Sequence, residues 1–172
     1  MRPVELSPGI MHTLEGSDKA KGFKFAVVVA RFNDFVTDRL LAGALEALSS
    51  AEIASDDVTV LRVPGSFEIA IAAQRAAETG RFDGVICLGC LIRGETPHFD
   101  YIAQAVSHGM THAAAATGVP MAFGVLTTNS AEEALARVPT GPGNKGWEAA
   151  MASVEMATLL ARLGDGRPGG PA

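Results

Sequence analysis

Segments typical of β-strands alternate with segments typical of α-helices along most of this chain. The four strand segments are short and rich in β-branched residues, and they span residues 22–30, 57–63, 84–92 and 119–128. Strands separated by helices run parallel and have helices on both faces of their sheet. The alternation therefore predicts an α/β fold, a three-layer αβα sandwich around a four-stranded parallel sheet.

The sequence also predicts where several of the helices between these strands begin and end. The second is predicted to run from about Glu68 to a stop at Gly80, the third begins near His98, and a short one covers 130–138. Asn144 is typical of an N-cap and predicts the start of a last helix. One face of this helix carries mostly apolar side chains: Trp147, Ala150, Met151, Val154 and Thr158.

The chain shows no internal repeat and no linker, so one domain is predicted over residues 22–163. Residues 1–21 are predicted to be an N-terminal arm or a disordered segment, and residues 164–172 are predicted to be a disordered tail. Hydrophobic residues reach 48% and charged ones only 19%, which indicates a compact domain with further apolar surface buried between subunits.

Charge and hydropathy exclude two classes of partner. The formal net charge of −5 argues against nucleic acid, whose phosphates attract clustered Lys and Arg. No apolar run approaches the roughly 20 residues that span a bilayer, and the first residues lack the hydrophobic core of a signal peptide. We therefore expect a cytoplasmic protein without a membrane partner.

A polar cluster follows each predicted strand, at residues 31–34, 64–68, 93–98 and 127–130. The carboxyl ends of parallel strands lie along one edge of the sheet, and ligands of such sheets bind beyond that edge. The four clusters therefore predict a binding site built from four loops.

The third cluster, RGETPH, leads into a helix whose first N–H groups attract anions. Gly94 allows a phosphate to approach the backbone, Thr96 adds a hydroxyl donor, and Pro97 suits the first helical turn. The alternative is that Gly and Pro only shape a turn. His98 is either a general acid/base near neutral pH or a histidine of the helix surface.

Side chains of the other loops also leave two interpretations open. Phe32 and Phe67 end strands, where exposed aromatic rings stack on planar ligands and buried ones fill space. Glu68 either caps the next helix or accepts N–H groups of a ligand. Arg137 and Lys145 flank a Pro/Gly break, where they either bind an anionic substrate or remain exposed.

Two spacings typical of metal or redox sites have simpler interpretations. Cys87 and Cys90 form a C-x-x-C, but both lie inside a strand, where residues three apart point to opposite faces. We expect two buried thiols. His108 and His112 have metal-ligand spacing without the accompanying Glu of an H-E-x-x-H motif, so no metal site is predicted.

Five motifs, ARFND, VPGSFEI, LGCLIRGETPHFDY, GVPMAFGVLTT and GNKGWEAA, occur in this order between about Gly22 and Leu160. The chain resembles the lumazine synthase (6,7-dimethyl-8-ribityllumazine synthase) family in these motifs and their spacing. The resemblance implies a flavodoxin-like fold and the condensation of 5-amino-6-(D-ribitylamino)uracil with 3,4-dihydroxy-2-butanone 4-phosphate. It also implies that no cofactor or metal takes part, and that a pentamer or a multiple of pentamers carries active sites between subunits.

The resemblance also implies a role for each matching residue. Phe32 would stack on the pyrimidine, and His98 would transfer protons. The remaining substrate contacts would come from Ser66, Phe67, Glu68, Cys90, Leu91 and Ile92, with Phe123 and Lys145 from the adjacent subunit. The phosphate contacts would come from Gly94, Glu95, Thr96 and Arg137.

Two residues depart from the family pattern. Ser66 stands where Ala is more usual, and Glu95 stands where a small residue is common. If only the backbone of residue 95 meets the phosphate, its side chain is harmless, whereas a carboxylate turned inward would weaken phosphate binding.

Two rivals to the enzyme share the fold. A non-catalytic paralogue that binds flavin or lumazine would need no His98, Arg137 or Lys145 at these places. A phosphate-accepting receiver domain needs an Asp at the end of the third strand, which here ends in Leu91-Ile92-Arg93. The receiver interpretation therefore fails.

Overall fold

A four-stranded parallel sheet forms the centre of the molecule in the computed structural model, which describes residues 12–164. Its strands are β1 (Phe25–Ala30), β2 (Val58–Val63), β3 (Gly84–Ile92) and β4 (Met121–Thr128), in the order β2-β1-β3-β4. The predicted parallel sheet is confirmed. Because β1 and β3 lie at its centre, the loops that follow them meet in the middle of the carboxyl edge.

Helices cover both faces of the sheet. They are α1 (Asp34–Ser50), α2 (Ile69–Glu78), α3 (His98–Thr117), α4 (Ala131–Ala136) and α5 (Lys145–Gly164). One core packs α1 and α5 against alternate strand residues such as Val27 and Val29, and the other packs α2 and α3 against Ala26 and Val28. The predicted three-layer αβα sandwich is confirmed.

The two cysteines illustrate this alternation. Cys90 belongs to the core under α1 and α5, whereas Cys87 belongs to the core under α2 and α3. Both are buried and free, as the sequence predicts. Burial raises the pKa of the Cys87 thiol, and it raises that of Cys90 to about 11.

Several element boundaries differ from the predicted ones by one to three residues. The first strand starts at Phe25 rather than residue 22, because a turn precedes it in which the Phe23 N–H donates to the Ala20 carbonyl at 3.0 Å. A 3₁₀ turn, Ser66–Glu68, precedes α2 and moves its start to Ile69. The last helix begins as predicted, since Asn144 Oδ1 accepts the Gly146 N–H at 2.7 Å.

The described part of the N-terminal segment lies along α5. The Ser17 N–H donates to Thr158 Oγ1 at 2.8 Å, and Arg162 donates to the Glu15 carbonyl at 2.7 Å. The rest of the predicted arm, residues 1–11, and the predicted tail from residue 165 lie outside the described residues. Among the described helices, none combines the length and the apolar character needed to cross a membrane.

Candidate active site

A cavity of about 770 Å³ lies beyond the carboxyl ends of β1, β2 and β3. Its position agrees with the general rule for parallel sheets and with the loops chosen from the sequence. Most of the predicted site residues line it: Phe32, Ser66, Phe67, Glu68, Cys90, Leu91, Ile92, Gly94, Thr96 and His98. The structure therefore brings together residues that are up to 66 positions apart in sequence.

Two phenylalanine rings form an open aromatic wall. Phe32 is 70% exposed and Phe67 is 60% exposed, so neither ring belongs to the core. The loops that carry them are joined where the Phe32 N–H donates to the Pro64 carbonyl at 3.1 Å. Of the two interpretations left open, the structure favours rings available for stacking on a planar ligand.

The end of β3 forms the floor of the cavity. The Cys90 thiol packs into the core, and its raised pKa keeps it protonated near neutral pH, which makes it a poor nucleophile. The Cys90 carbonyl accepts a hydrogen bond from Asn33 Nδ2 at 2.9 Å. Asn33 has a left-handed backbone (φ 60°) and fixes the loop after β1 against this floor. Sequence reasoning did not single out Asn33, although an Asn in the loop after a strand is a signal for this conformation.

Glu68 closes the turn after β2. Its Oε2 accepts the Gly65 N–H at 2.9 Å and so caps the 3₁₀ turn Ser66–Glu68. At the start of α2, the helix it was predicted to cap, its side chain makes no capping hydrogen bond. This bond uses one carboxylate oxygen of a half-buried side chain that also lines the cavity. The bond that closes the turn and a contact with a ligand are therefore compatible here.

The segment from Gly94 to Pro97 connects β3 to α3 and is exposed. A Cβ atom at Gly94 would meet nothing within 4 Å, so the backbone is open to an approaching group. Gly94 and Thr96 line the cavity, whereas Glu95 does not. The Glu95 carboxylate is therefore not among the groups that a phosphate in this cavity would meet first.

An ion pair closes this loop. Arg93 donates two hydrogen bonds to Asp100, at 3.1 and 3.0 Å, and its guanidinium lies 4.3 Å from the centre of the Phe99 ring. The Arg93 N–H also donates to the Thr128 carbonyl at 2.9 Å. His98, the first residue of α3, lies between the two residues of this ion pair in sequence and is exposed to the cavity. The Arg93–Asp100 ion pair was not predicted from the sequence, because it joins residues seven positions apart across an irregular turn.

Arg137 and Lys145 lie in a different pocket, of about 490 Å³, beside the carboxyl end of β4. Lys145 also lines an adjoining pocket with Phe123, which is 49% exposed on the edge strand β4. None of these three residues lines the cavity that contains Gly94 and His98. The predicted contact of Arg137 with a phosphate near Gly94 is therefore not formed within one chain.

His108 and His112 lie on α3, away from the loops that line the cavity. Within residues 12–164, no group of three or more His, Cys, Asp or Glu side chains could hold a metal ion.

Comparison with known proteins places the chain in a family. The family described as 6,7-dimethyl-8-ribityllumazine synthase matches residues 22–161. A protein of that name from Syntrophus aciditrophicus (strain SB) is 52% identical over 149 residues, which cover 87% of this chain and 97% of the relative. Another of that name, from Desulfatibacillum aliphaticivorans, is 48% identical over 146 residues, which cover 85% and 94% of the two chains. The chain belongs to the 6,7-dimethyl-8-ribityllumazine synthase family.

Proposed function

We propose that this protein is a 6,7-dimethyl-8-ribityllumazine synthase, a transferase of riboflavin biosynthesis. It condenses 5-amino-6-(D-ribitylamino)uracil with 3,4-dihydroxy-2-butanone 4-phosphate and releases phosphate and water, in the penultimate step of the pathway. The observation that carries this proposal is the cavity itself. In a member of this family, it combines an aromatic wall, an open glycine loop at a helix start and an exposed histidine.

The pyrimidine substrate fits the part of the cavity that is formed by the aromatic wall, the end of β3 and the turn after β2. Phe32 stacks on the ring, and the backbone of Cys90, Leu91 and Ile92 forms hydrogen bonds with its edge. The turn Ser66–Glu68 holds the ribityl chain, for which a carboxylate and a hydroxyl supply hydrogen-bonding groups.

The phosphate substrate fits the loop before α3. Gly94, Glu95 and Thr96 contribute backbone N–H groups, and Thr96 adds its hydroxyl. Imine formation and phosphate elimination both require proton transfer, for which His98 is placed at the cavity wall. Much of the rate comes from holding the two substrates side by side.

Arg137, Lys145 and Phe123 complete the site from a neighbouring subunit of a homo-oligomer, a pentamer or a multiple of pentamers. Two observations support this arrangement. These residues lie in pockets separate from the cavity, and Phe123 is exposed on an edge strand. The cytoplasmic location predicted from the sequence stays a prediction.

The first experiment mixes both substrates with the protein and follows the absorbance of the lumazine chromophore. We expect turnover in wild type, and a loss of one to a few orders of magnitude in His98→Ala while pyrimidine binding persists. Binding without turnover in wild type would instead indicate a non-catalytic paralogue. Full activity of His98→Ala would contradict the proton-transfer role.

A second experiment tests whether two subunits share each site. His98→Ala and Arg137→Ala subunits are mixed 1:1, unfolded and reassembled. In a ring of head-to-tail contacts, random assembly leaves about a quarter of the sites with both residues intact, so activity should return to about a quarter of wild type. If the mixture stays as inactive as the separate variants, each site belongs to a single chain.

A further inference from the structure

The loop between α4 and α5 carries both cations of the second pocket at its two ends. The Arg137 N–H donates to the Ala134 carbonyl at 3.1 Å, where α4 ends. The Lys145 N–H donates to the Arg137 carbonyl at 3.0 Å. The two residues are therefore joined through their backbones, and whatever moves one end of the loop moves the other.

Asn144, next to Lys145, fastens this loop to the body of the protein. Its side-chain Nδ2 donates to the Arg39 carbonyl of α1 and to the Pro139 carbonyl of the loop, each at 3.0 Å. Its Oδ1 accepts the Gly146 N–H at 2.7 Å. The residue is only 3% exposed, so these bonds form where water does not compete for them.

Only a carboxamide side chain can make these three hydrogen bonds at once. A side chain at this position must present two donors to carbonyl groups and one acceptor to an N–H group. An Asp would place a carboxylate against two carbonyl oxygens, and a Ser would keep the helix cap but lose both amide donors.

Two glycines allow the close packing around Asn144, one beside its side chain and one where α5 meets α1. A methyl group at Gly43 of α1 would overlap the Asn144 carboxamide, and one at Gly146 would overlap the Leu40 carbonyl group. Val138, inside the loop, is buried in the core under α1 and α5. The loop is therefore held against α1 by two of its own residues, Asn144 and Val138.

From this geometry we propose that Asn144 is a positioning residue for the phosphate substrate. It holds the loop on α1 so that the Arg137 and Lys145 side chains meet one anion together. This role rests on the proposed function, which takes Arg137 as a phosphate ligand, and it adds Lys145 as a second phosphate ligand. Asn144 itself does not touch the substrate.

The test uses Asn144→Ser, which keeps a cap for Gly146 and removes the two tethering donors, and Gly43→Ala, which displaces the same carboxamide from the other side. We expect each variant to raise KM for 3,4-dihydroxy-2-butanone 4-phosphate about tenfold, the loss of one well-placed charged contact. KM for the pyrimidine should change by less than about twofold.

Gly84→Ala is the matched control. A methyl there would lie 2.6 Å from Ser153 Oγ of α5 and 2.7 Å from Phe25 Cε1, so it also overpacks a close contact, but one between α5 and the amino end of the sheet. It should lower the thermal midpoint and leave both KM values unchanged. Equal changes in both KM values, a phosphate effect in Gly84→Ala as well, or no effect in the folded Asn144 and Gly43 variants would overturn the proposal. Failure of both test variants to fold would also overturn it, because Asn144 would then be a stability residue.

The failure of the proposed function is distinguishable from the failure of this inference. If wild type forms no lumazine, the proposed function fails, and the inference is then tested by calorimetric titration with inorganic phosphate. Asn144→Ser should weaken that binding about tenfold as well, and unchanged binding would overturn the inference.

Discussion

Gly89, in the middle of β3, lies directly under the turn that carries Ser66 and Phe67. A methyl group at this position would lie 2.6 Å from Ser66 Oγ and 3.0 Å from Ile69 Cδ1. The end of the Ile69 side chain can yield by a few tenths of an ångström, but Ser66 is buried in a short 3₁₀ turn. We therefore expect Gly89→Ala to push this turn away from the sheet.

The cost follows from packing. Forcing an extra methyl group into a well-packed site costs about 1–3 kcal/mol. In a chain of this size each kcal/mol lowers the thermal midpoint by about 2–4 °C, so Gly89→Ala should lose about 2–12 °C. Ser66→Ala removes the closest atom and leaves every remaining contact of the new methyl at 3.0 Å or more. The double variant should therefore recover stability, with a coupling energy of about 0.5 kcal/mol or more.

The assay compares thermal midpoints of wild type, both single variants and the double variant at one protein concentration, because assembly also changes the midpoint. The same four proteins are assayed for pyrimidine KM, which should rise in Gly89→Ala as the turn moves. In the double variant it should fall back to the value of Ser66→Ala, which lacks the hydroxyl proposed to bind the ribityl chain. If the stability effects of the two substitutions simply add, Gly89 and Ser66 are not in the contact described, and the reasoning is refuted.

Three further predictions concern the loop before α3 and the buried thiols. Gly94→Ala should keep its thermal midpoint, since the methyl meets nothing within 4 Å, but should raise KM for the phosphate substrate in steady-state kinetics by blocking the backbone. Asp100→Asn breaks the exposed ion pair with Arg93 and should cost less than about 1 kcal/mol in thermal melts, while pyrimidine affinity persists and phosphate use falls. Burial raises the Cys90 pKa from 9.0 to about 11, so unfolded thiols ionise first, and the free energy of unfolding should fall between pH 9 and 11. Denaturant titrations should show this slope diminished in Cys90→Ala, and an unchanged slope would contradict the assignment.

The fold was largely predictable because strand and helix segments alternate regularly along the sequence. A parallel sheet follows from strands separated by helices, and β3 coincides with the predicted residues 84–92. The start of β1 was wrong by three residues, because β propensity does not register the turn formed by the Ala20 carbonyl and the Phe23 N–H. β propensity is a property of single residues, whereas that turn depends on a reversal of the chain beside α1.

The site was predictable to the extent that topology fixes it. Loops at the carboxyl edge must be neighbours, which is why Phe32, Ser66 and Gly94 line one cavity. The bond from Asn33 to the Cys90 carbonyl was not predictable, since a polar contact 57 residues apart leaves no local pattern. Nor does loop order show on which side of the sheet edge Arg137 lies, and the structure places it beside β4 rather than in the cavity.

The proposed site is divided between two pockets, and this decides which experiments can distinguish an enzyme from a protein that binds the ligands without turnover. The aromatic wall and the β3 floor, which suit the pyrimidine, are complete within one chain. The cation pair that suits the phosphate lies in another pocket of the same chain, held there by Asn144. Under the proposed assembly, an isolated subunit should therefore bind the pyrimidine and still fail to catalyse. Ligand affinity alone cannot distinguish the two functions, whereas turnover by the assembled protein can.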